Sequence, residues 1–247
     1  MNVQLKRAWY ITRKDMRTYY LKSPVISWGI LFPLVMILAF YIRNPADIRS
    51  VVPGLIGVTV LFGTTSMEAV VIAFEKRIGA MERLLLAPIA PPTLVMGKMA
   101  SGALFGLATG CLVWLVGSLA WGLHFAWLGI LVSILLGSIT FSLLGVVISL
   151  LMREVFDAMT VSNYFRFPMV FLCGVFVPLA EMPATLRTVA SFLPLTYMVD
   201  ALRHLLIVDG GAHYPLALNL GASTLFALAL YWAAWRLTRY RLEDLIQ

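Results

Sequence analysis

Charged side chains are scarce in this sequence. Asp, Glu, Lys and Arg make up 13% of its 247 residues, about half of the roughly 25% usual in a soluble domain. That shortage excludes an ordinary water-soluble enzyme or scaffold. Cysteine is almost missing: Cys111 and Cys173 each fall inside an apolar run. This excludes a disulfide framework, and both are expected to act as small packing residues. Only three histidines occur. Asp200 and His204 stand four apart, as do Asp209 and His213, but without a nearby cysteine the spacing suits capping or surface hydrogen bonds better than a metal. No G-x-x-x-x-G-K-[ST] phosphate loop is present. The nearest match, MGKMAS at 96–101, lacks the first glycine, so the chain is not expected to hold ATP. The apolar runs contain no His/Asp/Cys constellation that would mark catalytic residues.

What the sequence has is apolar length. Hydrophobic residues reach 61% and the mean hydropathy is +0.89. A spanning helix needs about 20 apolar residues. Six runs qualify, at 25–42, 51–73, 94–121, 127–151, 158–178 and 215–236. The expected fold is an all-α polytopic membrane protein, one transmembrane domain over 1–247. A basic segment before the first run is too long for a signal peptide, and no small-x-small site follows, so an uncleaved first span is expected.

The formal net charge of +7 lies beside the spans. Fourteen Lys and Arg fall on one side: Lys6, Arg7, Arg13, Lys14, Arg17 and Lys22; Lys76, Arg77, Arg83 and Lys98; Arg153, Arg236, Arg239 and Arg241. Arg43, Arg49, Arg187 and Arg203 fall on the other, and Arg166 is left inside a span. The positive-inside rule places both termini in the cytoplasm of a multi-pass cell (inner or plasma) membrane protein. Trp28, Trp121, Trp127, Trp232 and Trp235 sit near span ends, as an interfacial belt requires. Within 1–23, residues 3–20 read as an amphipathic helix. Leu5, Trp9, Thr12, Met16, Tyr19 and Tyr20 share a face opposite Lys6, Arg7, Arg13, Lys14 and Arg17. Next to a span, such a helix is expected to lie on the anionic inner leaflet rather than to bind nucleic acid or a calmodulin-like partner.

One segment breaks the pattern: FEKRIGAMERLLLAPIAPPTLVMGK, residues 74–98. It is too charged for lipid and too apolar for a linker. Helix formers run from Glu75 to Leu86 apart from Gly79, and Pro88, Pro91 and Pro92 then stop and stiffen the chain. A short helix at 75–87 is expected on the inner face, packed either on its own bundle or on a cytosolic partner.

This segment resembles the first cytoplasmic loop of permease subunits of type-2 ABC exporters, whose approximate pattern G-x-x-E-x-L-L-x-x-P-I and later G-K falls here on Gly79, Glu82, Leu84, Leu85, Pro88, Ile89, Gly97 and Lys98. Ala80 stands where that family usually has Thr. FLPLTYMVDALRHLL, residues 192–206, is similar to the family's outer F-x-P-x-x-Y-x-x-x-x-x-R segment. The resemblance spans nearly the whole chain. It implies an export channel of two permease copies, identical or different, and two cytosolic ATPase subunits that hold ATP and Mg. It further implies that 75–87 is the coupling helix. Glu75, Arg77, Gly79, Glu82, Arg83, Leu84, Leu85 and Pro88 would then form the ATPase contact, with Glu82 as the charged element and Leu84 and Leu85 as apolar anchors. Spans one, two and five would face the dimer axis. The cargo class it allows is a drug, lipid or glycan. A stand-alone secondary transporter or channel is the alternative, although no internal repeat is evident and deep charges are few.

Two intramembrane charges invite a pairing. Glu68 in span two and Arg166 in span five are both expected roughly 10–12 Å from the inner face, with Asn163 beside them. They would form an ion pair or line a wet vestibule. The outer segment 179–213 is too apolar for a loop and too broken for a span. One or two short re-entrant helices are expected there, poised as an outer lid, followed by span six and a cytoplasmic tail at 237–247.

Overall fold

A computed structural model describes residues 3–43, 48–123, 126–152, 154–207 and 211–246; Arg153 and Asp209 lie outside these, as do the side chains of Trp28 and Arg241. Among the described residues every regular element is helical. Helix α1 (Val3–Asp15) continues into a π-helical turn (Met16–Tyr20). It is followed by α2 (Ser23–Arg43), α3 (Ile48–Arg77), α4 (Ala80–Leu86), α5 (Pro91–Trp121) and α6 (Trp127–Leu151). Next come α7 (Val155–Leu172), α8 (Ala184–Ala190), α9 (Pro194–Leu206) and α10 (Leu216–Ile246).

Five helices, α2, α3, α5, α6 and α10, are long and apolar enough to cross a membrane. The expected span at 158–178 is instead α7, which starts at Val155, stops at Leu172 and has 18 residues; that is about 27 Å of helix. Asp157, Asn163 and Arg166 dilute its hydropathy. It nevertheless joins the two ends of the bundle. At one end Ile11 of α1, Met81 and Leu85 of α4 and Ala234 of α10 share a buried cluster. Lys76 of α3 caps the end of α6 there, donating to Ser149 O at 2.7 Å and to Met152 O. At the other end Arg203 of α9 donates to Gly174 O at 3.1 Å, just past α7. Helix α7 thus reaches from one end of the bundle to the other, although five helices, and not the expected six, are long and apolar enough to count as spans among the described residues.

Helix α3 is the hub, packed by α2, α5, α6, α7 and α9. The outer element α9 is a core helix more than a loose lid. It rests between α3 and α6, where a Cβ on Gly57 would stand 2.7 Å from Val199 Cγ2 and one on Gly137 2.2 Å from Met198 Sδ. Its Asp200 is buried and accepts hydrogen bonds from the His213 and Tyr214 backbone N–H groups and from Asn219 Nδ2, each at 2.9 Å. The carboxylate thus pins the entry to α10, while His204, four residues on, is exposed.

Helix α1 turns a different face inward from the one its aromatic residues suggest. Ala8, Ile11, Thr12 and Asp15 are buried, whereas Leu5 and Trp9 are exposed. The buried stripe packs on α5, because Gly97 leaves room for it: a Cβ there would meet Ile11 Cβ at 2.8 Å. Thr12 Oγ1 lies 3.0 Å from Gly97 O across the same contact. The π-helical turn then brings Tyr20 inward, its ring 5.3 Å from that of Phe105.

Candidate functional site: the corner between the second and third spans

The segment expected as one helix over 75–87 is divided. Helix α3 continues through Glu75 to Arg77. Gly79 then turns the chain at φ 68°, a left-handed conformation that a Cβ would strain, and α4 covers only Ala80–Leu86. Arg83 braces the turn: its Nε donates to Gly79 O at 3.1 Å and its Nη2 to Ile78 O at 3.3 Å. Ala87 leaves the helix in an extended conformation ahead of Pro88. Arg7 of α1 donates to Pro88 O, which ties the far side of the corner to the N-terminal helix.

The expected contact residues separate into two groups. Arg77, Arg83 and Pro88 are exposed, and Gly79, Glu82 and Leu84 are partly so. Leu85 is 7% exposed and Met81 3%, both facing into the bundle. Leu85 is thus an inward packing residue, and the exposed apolar side chains of the corner are Ile78 (48%) and Leu86 (67%). Since 84, 85 and 86 are all leucine, composition could not tell the inward one from the outward one.

Glu75 is fully buried and serves a different role from the one expected. It belongs to a four-charge cluster. Lys98 Nζ of α5 pairs with Asp15 Oδ2 at 2.8 Å and with Glu75 Oε2. Lys14 Nζ pairs with Asp15 Oδ1 at 2.7 Å and with Glu75 Oε1. Two cations and two anions cancel, so the cluster is neutral, and it clamps α1, α3 and α5 where α4 departs. Burial pulls the Lys14 ammonium down, but the Asp15 and Glu75 carboxylates outweigh it and leave its pKa above the ordinary lysine value. Asp15 escaped sequence reasoning, and Lys98 stood out only as part of the G-K pattern and the basic inner side, not as an ion-pair partner. A usable signal existed: Asp15 is the only acidic residue in the first 43.

Glu68 and Arg166 are not brought together. Glu68 is fully buried on the side of α3 that meets α5 and α6. Its Oε1 accepts from Gly102 N–H at 2.9 Å, with Ser101 Oγ 3.1 Å away. A Cβ on Gly102 would stand 2.4 Å from Ser142 Oγ and 2.8 Å from Glu68 Cγ. Arg166, 5% exposed, faces another part of α3. Its Nε donates to Ser162 O at 3.2 Å, its Nη2 to Asn163 Oδ1 at 2.5 Å, and its guanidinium lies 4.7 Å from the centroid of the Phe62 ring. Phe62 is midway along α3, six residues from Glu68, so the guanidinium sits against a point about 9 Å along that helix from Glu68. Between α2, α3, α5 and α7 lies a cavity of about 520 Å³, walled by Gly29, Phe32, Phe62, Phe105 and Met159 among others. That volume is in the range of about 300–1,000 Å³ typical of small-molecule sites.

The sequence model of the ABC-2 type transporter family matches residues 6–207. The chain is 26% identical over 189 residues to the inner membrane transport permease YadH of Escherichia coli K12, covering 76% of this chain and 73% of that one. It is 27% identical over 218 residues to the probable multidrug ABC transporter permease YbhS of the same organism, covering 85% and 57%. Nodulation protein J of Bradyrhizobium diazoefficiens is 37% identical over 75 residues, 30% of this chain and 28% of that protein. The matched stretches thus span just over half of YbhS and little over a quarter of Nodulation protein J.

Proposed function

Since the chain belongs to the ABC-2 type transporter family, we propose that it is the membrane-spanning permease subunit of an ATP-driven exporter. It works with a second permease copy and two cytosolic ATPase subunits, which carry the ATP and Mg sites. The protein is a membrane protein, and the reading places it in the cell inner or plasma membrane with α1, α4 and the end of α10 in the cytoplasm, as the basic residues of that end favour. The cargo is hydrophobic or amphipathic. The printed descriptions of YadH as an inner membrane permease and YbhS as a probable multidrug permease agree with this.

The observation that carries the reading is the corner itself. The corner exposes Ile78 in its turn and Leu86 at the end of α4, edged by Arg77 and Arg83, while Met81 and Leu85 anchor α4 to the bundle. Apolar centres supply affinity in a groove, and charged edges set register and approach. Because the Asp15–Glu75–Lys98 cluster locks the root of the corner, force applied to α4 passes into α3 and α5 instead of being lost in a loop. Glu82, in the first turn of α4, is the proposed acidic contact.

Co-expression of the chain with an ABC-type ATPase is expected to give a stable complex whose ATP hydrolysis depends on the permease. A chain that transports by itself and ignores nucleotide would overturn the proposal.

A further inference from the structure

Arg166 is a cation in a membrane-spanning helix with no carboxylate in ion-pair contact among the described residues. Its hydrogen bonds go to a backbone carbonyl and an amide oxygen. Both are neutral, so they direct the guanidinium without cancelling its charge. The Phe62 ring supplies only a weak quadrupolar attraction. A charge at such a depth is costly to insert, and a packing role alone would be met by an uncharged side chain.

The cavity gives the charge a use. Met159, Asn163 and Arg166 lie at i, i+4 and i+7, on one face of α7. Met159 lines the cavity, and so does Phe62, the residue the guanidinium covers. Arg166 itself is not part of the lining; its guanidinium stands behind Phe62, the ring that separates it from the cavity. The remaining lining is apolar apart from three hydroxyls, Thr59, Ser66 and Thr109, of which Thr59 donates to Leu55 O at 2.8 Å and Thr109 to Phe105 O at 3.0 Å. A sugar-rich or multiply charged ligand would leave polar groups unpaired in this space. A hydrocarbon or aromatic body with one acidic head would not.

We propose that Arg166 and the cavity beside Phe62 form a binding site for a single-headed anionic amphiphile, its apolar body filling the cavity and its carboxylate or phosphate reaching the guanidinium as the Phe62 ring turns aside. The planar fork of Arg suits such heads, because it donates two parallel N–H···O hydrogen bonds to their oxygens. As a statement about cargo, this rests on the exporter reading above, and it narrows hydrophobic or amphipathic cargo to the anionic kind.

The test uses the full-length chain in phosphatidylcholine nanodiscs and three fluorescent probes of equal bulk: pyrene-dodecanoate, its methyl ester and the matching alkylammonium. The carboxylate is expected to bind about tenfold or more tighter than the other two. Arg166→Gln should remove that preference and leave the ester unchanged, and Arg166→Lys should retain part of it. Equal binding of the three probes, or an equal loss of all three in Arg166→Gln, overturns the proposal. Should Arg166→Gln not fold, Met159→Glu provides the second arm. A negative charge on the cavity wall is expected to repel the carboxylate and spare the ammonium, and the absence of that reversal also counts against the site. Phosphatidylglycerol added to the discs identifies the source: competition marks a membrane lipid as occupant, its failure a free amphiphile. Binding here needs no nucleotide. Absence of a charge preference in the wild-type chain with ATPase coupling intact therefore sinks this inference alone, and the converse sinks the exporter reading alone.

Discussion

Lys98 shows how much one residue holds. Its ammonium is 1% exposed and is shared by two carboxylates that are themselves fully buried. Removing it leaves the half-exposed Lys14 alone against two buried anions, an uncompensated charge that removing the whole cluster would not leave. Lys98→Met is expected to lower stability by about 3–5 kcal/mol, read as a fall in the thermal midpoint of the detergent-purified chain. Asp15→Asn combined with Glu75→Gln in the same background should recover much of that loss. A Lys98→Met protein as stable as wild type would show that the cluster is not a clamp. Lys14 is half exposed, so Lys14→Met is expected to cost less than about 1 kcal/mol. Its folded-state pKa is raised, so its contribution is complete below the ordinary lysine value and is lost only as the medium rises through the higher folded one. Stability between pH 6 and 9, as usually assayed, should not change through this group. The Glu68 seat behaves differently: Gly102→Ala would place a Cβ against Ser142 and Glu68 and is expected to cost about 1–3 kcal/mol by overpacking. These partners were not legible from one sequence, because Asp15, Glu75 and Lys98 are joined only by the fold. What the sequence did reveal was that Glu68 and Arg166 are unusual. Their expected pairing failed because they lie on different faces of α3 and α7 and at different levels along α3.

At the scale of the element, α4 offers a sharp comparison between neighbours. Leu85 and Leu86 are adjacent and identical in chemistry, yet one is 7% exposed and the other 67%. Leu85→Asp buries a charge among Met81, Leu94 and Val146 and is expected to give unfolded or poorly inserted protein. Leu86→Asp should leave folding and insertion intact but prevent co-purification of the ATPase and abolish permease-dependent ATP hydrolysis. Equal, wild-type complexes from both variants would remove α4 as the coupling element. The same comparison shows what kind of information a sequence holds. The long apolar runs announce α2, α3, α5, α6 and α10, because a helix in lipid must satisfy its own backbone over a fixed thickness. The break at Gly79 was visible as a lone glycine in a helical stretch, and Pro88 as a stop. The direction α4 faces was not visible, since three consecutive leucines cover every side of a short helix. Nor was the inward face of α1: its aromatic residues draw the eye to Leu5 and Trp9, while the small residues Ala8 and Gly97 decide the close contact.

For the whole molecule the question is parity. Five helices pass a hydropathy threshold, and five crossings would put the termini on opposite sides of the membrane. The packing argues for six. Helix α1, α4 and the far part of α10 meet in one cluster through Ile11, Met81 and Ala234, and Tyr231 of α10 lies 3.5 Å from Pro92 O at the same end. Asp200 and Asn219 hold the start of α10 to α9 at the opposite end. Only a crossing by α7 connects these observations. Its polar residues do not prevent it, because Ser162 and Arg166 are turned into the protein, leaving Phe165, Phe167 and Phe171 exposed. Such a helix can cross while failing a test that averages over all its faces. Single cysteines in a background lacking Cys111 and Cys173 would decide it. With Leu5→Cys in α1, exposed in the fold, an impermeant maleimide added to intact cells should label nothing until the membrane is opened. A cysteine at Thr188 in α8, also exposed, should label at once, and a reporter fused after α10 should behave like Leu5→Cys. A C-terminal reporter that instead follows Thr188→Cys would mean that α7 does not cross, and would place α4 and the end of α10 on opposite sides of a membrane that their shared core cannot straddle.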